Sequence, residues 1–123
     1  MTAHRKPLQI ICVHDEWGWS HEQFNILRAS IEKAKPDYWE FFNPGTILIY
    51  FRETKKGILK SQELLKSFKQ AKSEKSDFEK LGIGSASGEM VFETDILGKI
   101  VSSPLGGAAN EATDLAKSAV TLS

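Results

Sequence analysis

The sequence predicts an α+β domain, a mostly antiparallel sheet with helices packed on one face, and three observations carry that prediction. Short runs rich in apolar, aromatic and β-branched residues recur at 8–13, 38–42, 46–51 and 81–92. Two intervening stretches place apolar residues at helical spacing. Their order, strand, helix, strand, strand, helix, strand, is the split βαβ pattern, followed here by one added strand and a terminal helix.

Residues 8–13 (LQIICV) form a near-continuous apolar run bounded by Pro7 and a polar cluster, which reads as a buried strand ending near His14. Ser20 then offers a side-chain oxygen as N-cap and Gln23 completes a capping box. Phe24, Leu27, Ile31 and Ala34 follow on one face, and the helix must stop before Pro36, whose ring disfavours a helical residue ahead of it. Asn43, Pro44 and Gly45 suit a tight turn between residues 38–42 and 46–51, so these pair as a hairpin. Leu64, Leu65, Phe68 and Ala71 mark a second helix, starting near Ile58 and fading in the polar run 72–76. The strand at 81–92 is lightened by Gly82, Gly84 and Gly88, as at bulges or close approaches of backbone. A further strand at 99–102 leads through Pro104, Gly106 and Gly107 into a helix carrying Ala108, Ala112, Leu115 and Ala119 on one face. The whole is ferredoxin-like, and residues 1–123 make one domain.

Composition narrows the function. Sixteen basic residues balance sixteen acidic ones, so no whole-chain field draws it to nucleic acid or anionic lipid. With 41% hydrophobic and 26% charged residues the chain is globular rather than disordered. The lone Cys12 excludes a disulfide framework and a multi-thiolate zinc site, and a reducing, cytoplasmic setting fits it. No apolar run approaches the roughly 20 residues of a membrane helix. Eight of the sixteen basic residues are lysines between Lys55 and Lys80, and these are read as the solvated side of a helix rather than a nucleic-acid surface.

Three segments together resemble one family, the catalytic domain of class III nucleotide (adenylate and guanylate) cyclases. Val13-His14-Asp15-Glu16-Trp17-Gly18-Trp19-Ser20 is similar to the family's first-strand motif F-x-D-I-x-G-F-T, matching at Asp15, Gly18, Trp19 and Ser20. The stretch 82–89 (GIGSASGE) resembles the glycine-rich strand, and Gly106-Gly107-Ala108-Ala109-Asn110 onward resembles the G-D-x-V-N-x-A-x-R-L segment that opens the catalytic helix. The hairpin bend, Phe42-Asn43-Pro44-Gly45-Thr46, stands where the family has K-x-x-G-D.

The resemblance implies a palm-like fold, a site between two chains, and nucleotide bound with Mg²⁺ or Mn²⁺. Its candidate nucleotide residues are Asp15, Gly18, Asn110, Gly106 and Gly107, with Asp15 as metal ligand. The family's reaction, attack of a ribose 3′-hydroxyl on the α-phosphate, needs two carboxylates to hold two divalent ions. Thr46 replaces the second carboxylate, Phe42 the base-reading lysine, Ser103 the second base contact, and Asp114 the transition-state arginine. The expectation is therefore a degenerate domain, a homodimer or the partner of another cyclase-like or signalling protein, acting by binding or regulation. Two alternatives stand beside it: one subunit of a heterodimeric cyclase, and an unrelated ferredoxin-like interaction module.

Ordinary roles compete at several positions. Asp15 and Glu16 can meet the dipole of the following helix, and Asn110 is a good helix N-cap. Gly106 and Gly107 can be a plain strand-to-helix turn, or amides cradling a phosphate. Trp17 and Trp19 can grip a ligand at the strand exit or pack beneath the helix. The hairpin carries more large side chains than one face can bury, so Tyr38, Phe42 and Tyr50 are the expected dimer contacts.

Overall fold

A strand whose successive side chains are all apolar needs cover on both faces, and residues 8–13 set the architecture for that reason. In the computed structural model, which describes the backbone of residues 1–122 and the side chains of 1–118, β1 (Thr2–His14) lies inside a four-stranded sheet. The other strands are β2 (Tyr38–Asn43), β3 (Thr46–Arg52) and β4 (Gly82–Thr94), in the order β2-β3-β1-β4 with every pair antiparallel. That is the ferredoxin-like order, and the α+β class and the strand and helix succession hold.

The helices are α1 (His21–Ala34), α2 (Lys55–Glu74) and α3 (Gly107–Leu122), with a short 3-10 turn at Ser76–Phe78. Ile11, Val13, Ile47, Ile49 and Phe51 point to one face of the sheet and pack with Leu27, Ile31, Leu64 and Phe68 of α1 and α2. Leu8, Ile10, Cys12, Leu48, Tyr50, Met90 and Phe92 point to the other and pack with Ala108, Ala112 and Ala116 of α3. Helices therefore cover both faces, which corrects the expectation of one. The continuous apolar runs of β1 and β3 demand this second layer. The alanines of α3 allow it to lie close, since a Cβ on Gly84 would stand 2.2 Å from the Ala112 carbonyl oxygen.

The expected capping box of α1 is present: the Gln23 amide donates to Ser20 Oγ at 3.1 Å, and the Ser20 amide donates to Gln23 Oε1 at 2.8 Å. The helix ends at Lys35 in the left-handed region (φ 52°), just ahead of Pro36. α2 begins three residues before Ile58, because Thr54 Oγ1 accepts from the Gly57 amide at 3.0 Å and caps it there. The strand expected at 99–102 is not formed. Only isolated bridges join Thr94 to Ile100 and Val91 to Leu105, and Pro104 has no amide to extend them. Asn110 lies inside the first turn of α3, not at its cap. The Ala119 side chain lies outside the described residues. No described helix is long and apolar enough to cross a membrane.

Candidate functional site

The exit of β1 and the bend of the β2–β3 hairpin are pressed together. The Asp15 amide donates to the Gly45 carbonyl at 2.9 Å, and a Cβ on Gly45 would fall 2.1 Å from the Asp15 carbonyl oxygen, so only glycine fits there. Gly18 turns the chain at φ 78° beneath Pro44, a conformation that glycine reaches without penalty. Asp15 closes this turn by accepting the Trp17 amide at Oδ1, 3.0 Å away.

Thr46, where the resemblance calls for a second acid, is fully buried, and its Oγ1 lies 2.9 Å from Nδ1 of buried His14. Burial, with Lys117 adding to it, pushes the His14 imidazole below its usual range, and Glu16 and Asp15 oppose this only in part. A neutral imidazole bonded to a neutral hydroxyl is the outcome. Among the described residues no group of three or more histidine, cysteine, aspartate or glutamate side chains converges. A pair of divalent ions needs several anionic oxygens around each ion, so the residues present do not fit the two-ion centre.

The remaining candidates lie elsewhere. Asn110 and Gly106 line a cleft of about 370 Å³ between the hairpin and α3, together with Phe42, Tyr50, Ser103 and Asp114. Asp15 and Gly18 line a separate depression of about 320 Å³, beside residues 76–80. The two share no lining residue, so the sequence candidates form two half-sites rather than one. Gly107 opens α3 and lines neither. Gly106 is glycine for packing, as a Cβ there would meet Met90 Sδ at 2.4 Å.

Glu40 was not singled out by the sequence reading. Its Oε2 accepts from the Tyr50 hydroxyl at 2.8 Å and from the Ser103 hydroxyl at 2.7 Å, tying the segment before α3 to the hairpin. Burial, then Glu40, pushes the Tyr50 phenol far above its usual range, so it keeps the proton it donates to Glu40. The two-residue spacing from Tyr38 through Glu40 to Phe42 carries the signal, since it puts Glu40 on the same strand face as the two aromatics. Tyr50 is 1% exposed and packs in the α3-side core, which corrects its expected place at a dimer contact. Tyr38 is half-buried, 6.0 Å from the Tyr50 ring, whereas Phe42 is 62% exposed. Trp19 packs on Phe41, while Trp17 is 85% exposed.

No protein-family model and no curated protein matches the chain. Solved structures do. A bacterial light-regulated adenylyl cyclase superposes with TM-score 0.59 at 16% identity, over 95% of this chain and 40% of that one. The guanylyl cyclase Cya2 gives 0.61 at 14%, over 96% and 73%. An adenylate/guanylate cyclase/hydrolase from Silicibacter pomeroyi gives 0.58 at 19%, over 93% and 70%. The chain thus spans less than half of the first of these proteins. Its layers, its strand order and these superpositions together give it the fold of the adenylyl and guanylyl cyclases, the one its motifs resemble.

Proposed function

We propose that this chain is a cyclase-fold domain without cyclisation chemistry of its own, acting in the cytoplasm as a dimeric binding or regulatory module. The observation that carries the reading is Thr46: a buried, neutral hydroxyl bonded to His14 where the second metal-binding acid is required. Asp114, which the resemblance matches to the transition-state arginine, lines the α3 cleft, and a negative charge there would oppose phosphate charge rather than stabilise it. Losing one preorganised contact of this kind costs about 3 to 4 kcal/mol of transition-state stabilisation, and here several are absent and one is inverted. Dimerisation finds support in the exposed Phe41 and Phe42 at the hairpin end. A second reading, in which the chain completes a partner's site, is favoured by one feature, the exposure of Asn110 on the first turn of α3.

The test is direct. Purified protein is incubated with ATP or GTP and Mg²⁺ or Mn²⁺, and cyclic nucleotide is quantified by mass spectrometry. The proposal expects no product above the protein-free blank. Product that disappears in Asp15→Asn overturns it. Activity that arises only on mixing with a second cyclase-fold chain selects the second reading.

A further inference from the structure

α2 presents two stripes to two different surroundings. Gly57, Ser61, Leu64 and Phe68 recur at alternating helical spacings and are buried against the sheet. Lys55, Leu59, Gln62, Lys66 and Lys69 recur in the same way on the opposite side, about 200° around the helix, and are exposed. This outer stripe runs about 21 Å along the axis, and exposed Lys56 widens it. α2 holds six lysines against two glutamates, so the rest of the chain carries ten basic and fourteen acidic residues. A protein without net charge thus concentrates positive charge on one helix.

α1 adds to the same face. Lys60 Nζ donates to the Lys35 carbonyl at 3.2 Å, which holds the end of α1 beside α2. Exposed Lys33 lines a groove between the two helices together with Lys66 and Glu63. Glu63 is the only acid of α2 ahead of Glu74, whose carboxylate accepts from Gln70 at 3.1 Å. Among the described residues none of these lysines makes an ion pair, so the protein does not neutralise their charge itself.

The composition of the face selects its partner. The outer stripe of α2 has no arginine and no aromatic ring, the groups that clamp phosphates in pairs of hydrogen bonds and stack on bases. Lysines are point charges on flexible stems, suited to a diffuse negative field. Leu59 is 54% exposed, with Lys55, Lys56 and Lys60 within one turn of it. A sugar-phosphate backbone offers nothing to an apolar side chain among lysines, whereas the headgroup region of a bilayer buries it. Lysine clusters on an amphipathic helix have this chemistry toward acidic lipid.

We propose that the outer face of α2, with the end of α1, docks on an anionic phospholipid surface, its lysines meeting the headgroup charge and Leu59 entering the interface. α1 and α2 lie on one face of the sheet and α3 on the other, so docking turns the α3 cleft away from the lipid. The inference rests on none of the nucleotide or metal assignments.

Co-sedimentation of the full chain with extruded vesicles tests it, at about 0.15 M salt, where the screening length is about 8 Å. Vesicles of phosphatidylserine and phosphatidylcholine in equal parts are compared with phosphatidylcholine alone. Saturable binding to the first and none to the second is expected, and it should fall steeply as salt is raised. Lys66→Gln combined with Lys69→Gln should weaken binding about ten-fold or more, at about five-fold per lysine. Leu59→Ser should weaken it about three- to five-fold. These side chains are exposed, so the thermal midpoint should stay unchanged. Lys6→Gln combined with Lys99→Gln, exposed but away from α2, should bind as the native protein does. Duplex DNA and polyglutamate are titrated in parallel at the same salt. Tighter binding to either one assigns the face to another polyanion and overturns the proposal. No binding to the anionic vesicles, equal binding to both kinds, affinity unchanged in the Lys66 and Lys69 variant, or an equal loss in the Lys6 and Lys99 variant would also overturn it. None of these outcomes depends on cyclic nucleotide formation, so the two readings fail separately.

Discussion

Replacing Thr46 by aspartate puts a carboxylate where the cyclase motif has one, and the structure specifies the consequence. Thr46 is 0% exposed and its Oγ1 sits 2.9 Å from His14 Nδ1. In the native protein His14 is held below its ordinary value of 6.5 by burial and by Lys117. The unfolded chain therefore binds more protons than the folded one as the pH falls below that value. This contribution to stability is complete above pH 6.5 and declines as the pH drops through the lowered folded value.

In Thr46→Asp the sign reverses. At about 3 Å and an effective dielectric of about 20, a carboxylate and an imidazolium attract by about 6 kcal/mol, comparable with the several kcal/mol needed to desolvate each ion. The new carboxylate raises the His14 value, and the variant's stability from this pair is complete below pH 6.5 and lost as the pH rises through the raised value. At pH 8 the acid is buried without a charged partner, and the expected loss is about 3 kcal/mol, or about 10 °C in the thermal midpoint. Urea unfolding between pH 5.5 and 8.5, with the His14 resonance followed by NMR, reads both effects. A variant as stable as the native protein at pH 8, or one whose stability varies with pH in the native direction, would refute the reasoning.

Three further outcomes follow from the packing. Gly84→Ala drives a methyl against the Ala112 carbonyl oxygen at 2.2 Å and the Ala116 amide at 2.6 Å, so α3 must shift; a destabilisation of about 1 to 3 kcal/mol is expected in chemical denaturation. The buried Cys12 thiol is pushed up to about 11, mainly by burial; at pH 8 it should resist a disulfide reagent in the native protein and react at once in denaturant. Phe42→Glu removes an exposed aromatic from the hairpin end, and if Phe42 forms the dimer contact, sedimentation equilibrium should show a monomer, with the thermal midpoint of the protomer little changed.

Much of the fold was legible in the residues. The Ser20 and Gln23 capping box, the stop before Pro36 and the Asn43-Pro44-Gly45 bend are local devices, and each stands where its chemistry places it. What escaped was non-local. The runs in β1 and β3 announce burial on two faces, but only the tertiary arrangement shows that the alanine stripe of α3 supplies the second layer. The missing strand at 99–102 is of the same kind, as its residues have strand-like composition but meet β4 only at isolated bridges. In the site, the departures from the cyclase motifs at Phe42, Thr46, Ser103 and Asp114 are features of the resemblance, read by position in the sequence. The division into two depressions was not legible there, because it depends on where α3 lies against the hairpin.

Under the proposed function, one acid, Asp15, remains where a pair of divalent ions would need two. Equilibrium dialysis of the purified chain against Mn²⁺ with a non-hydrolysable GTP analogue counts the ions directly. The account predicts fewer than two Mn²⁺ retained per chain. Two Mn²⁺ per chain, both lost in Asp15→Asn, would contradict it.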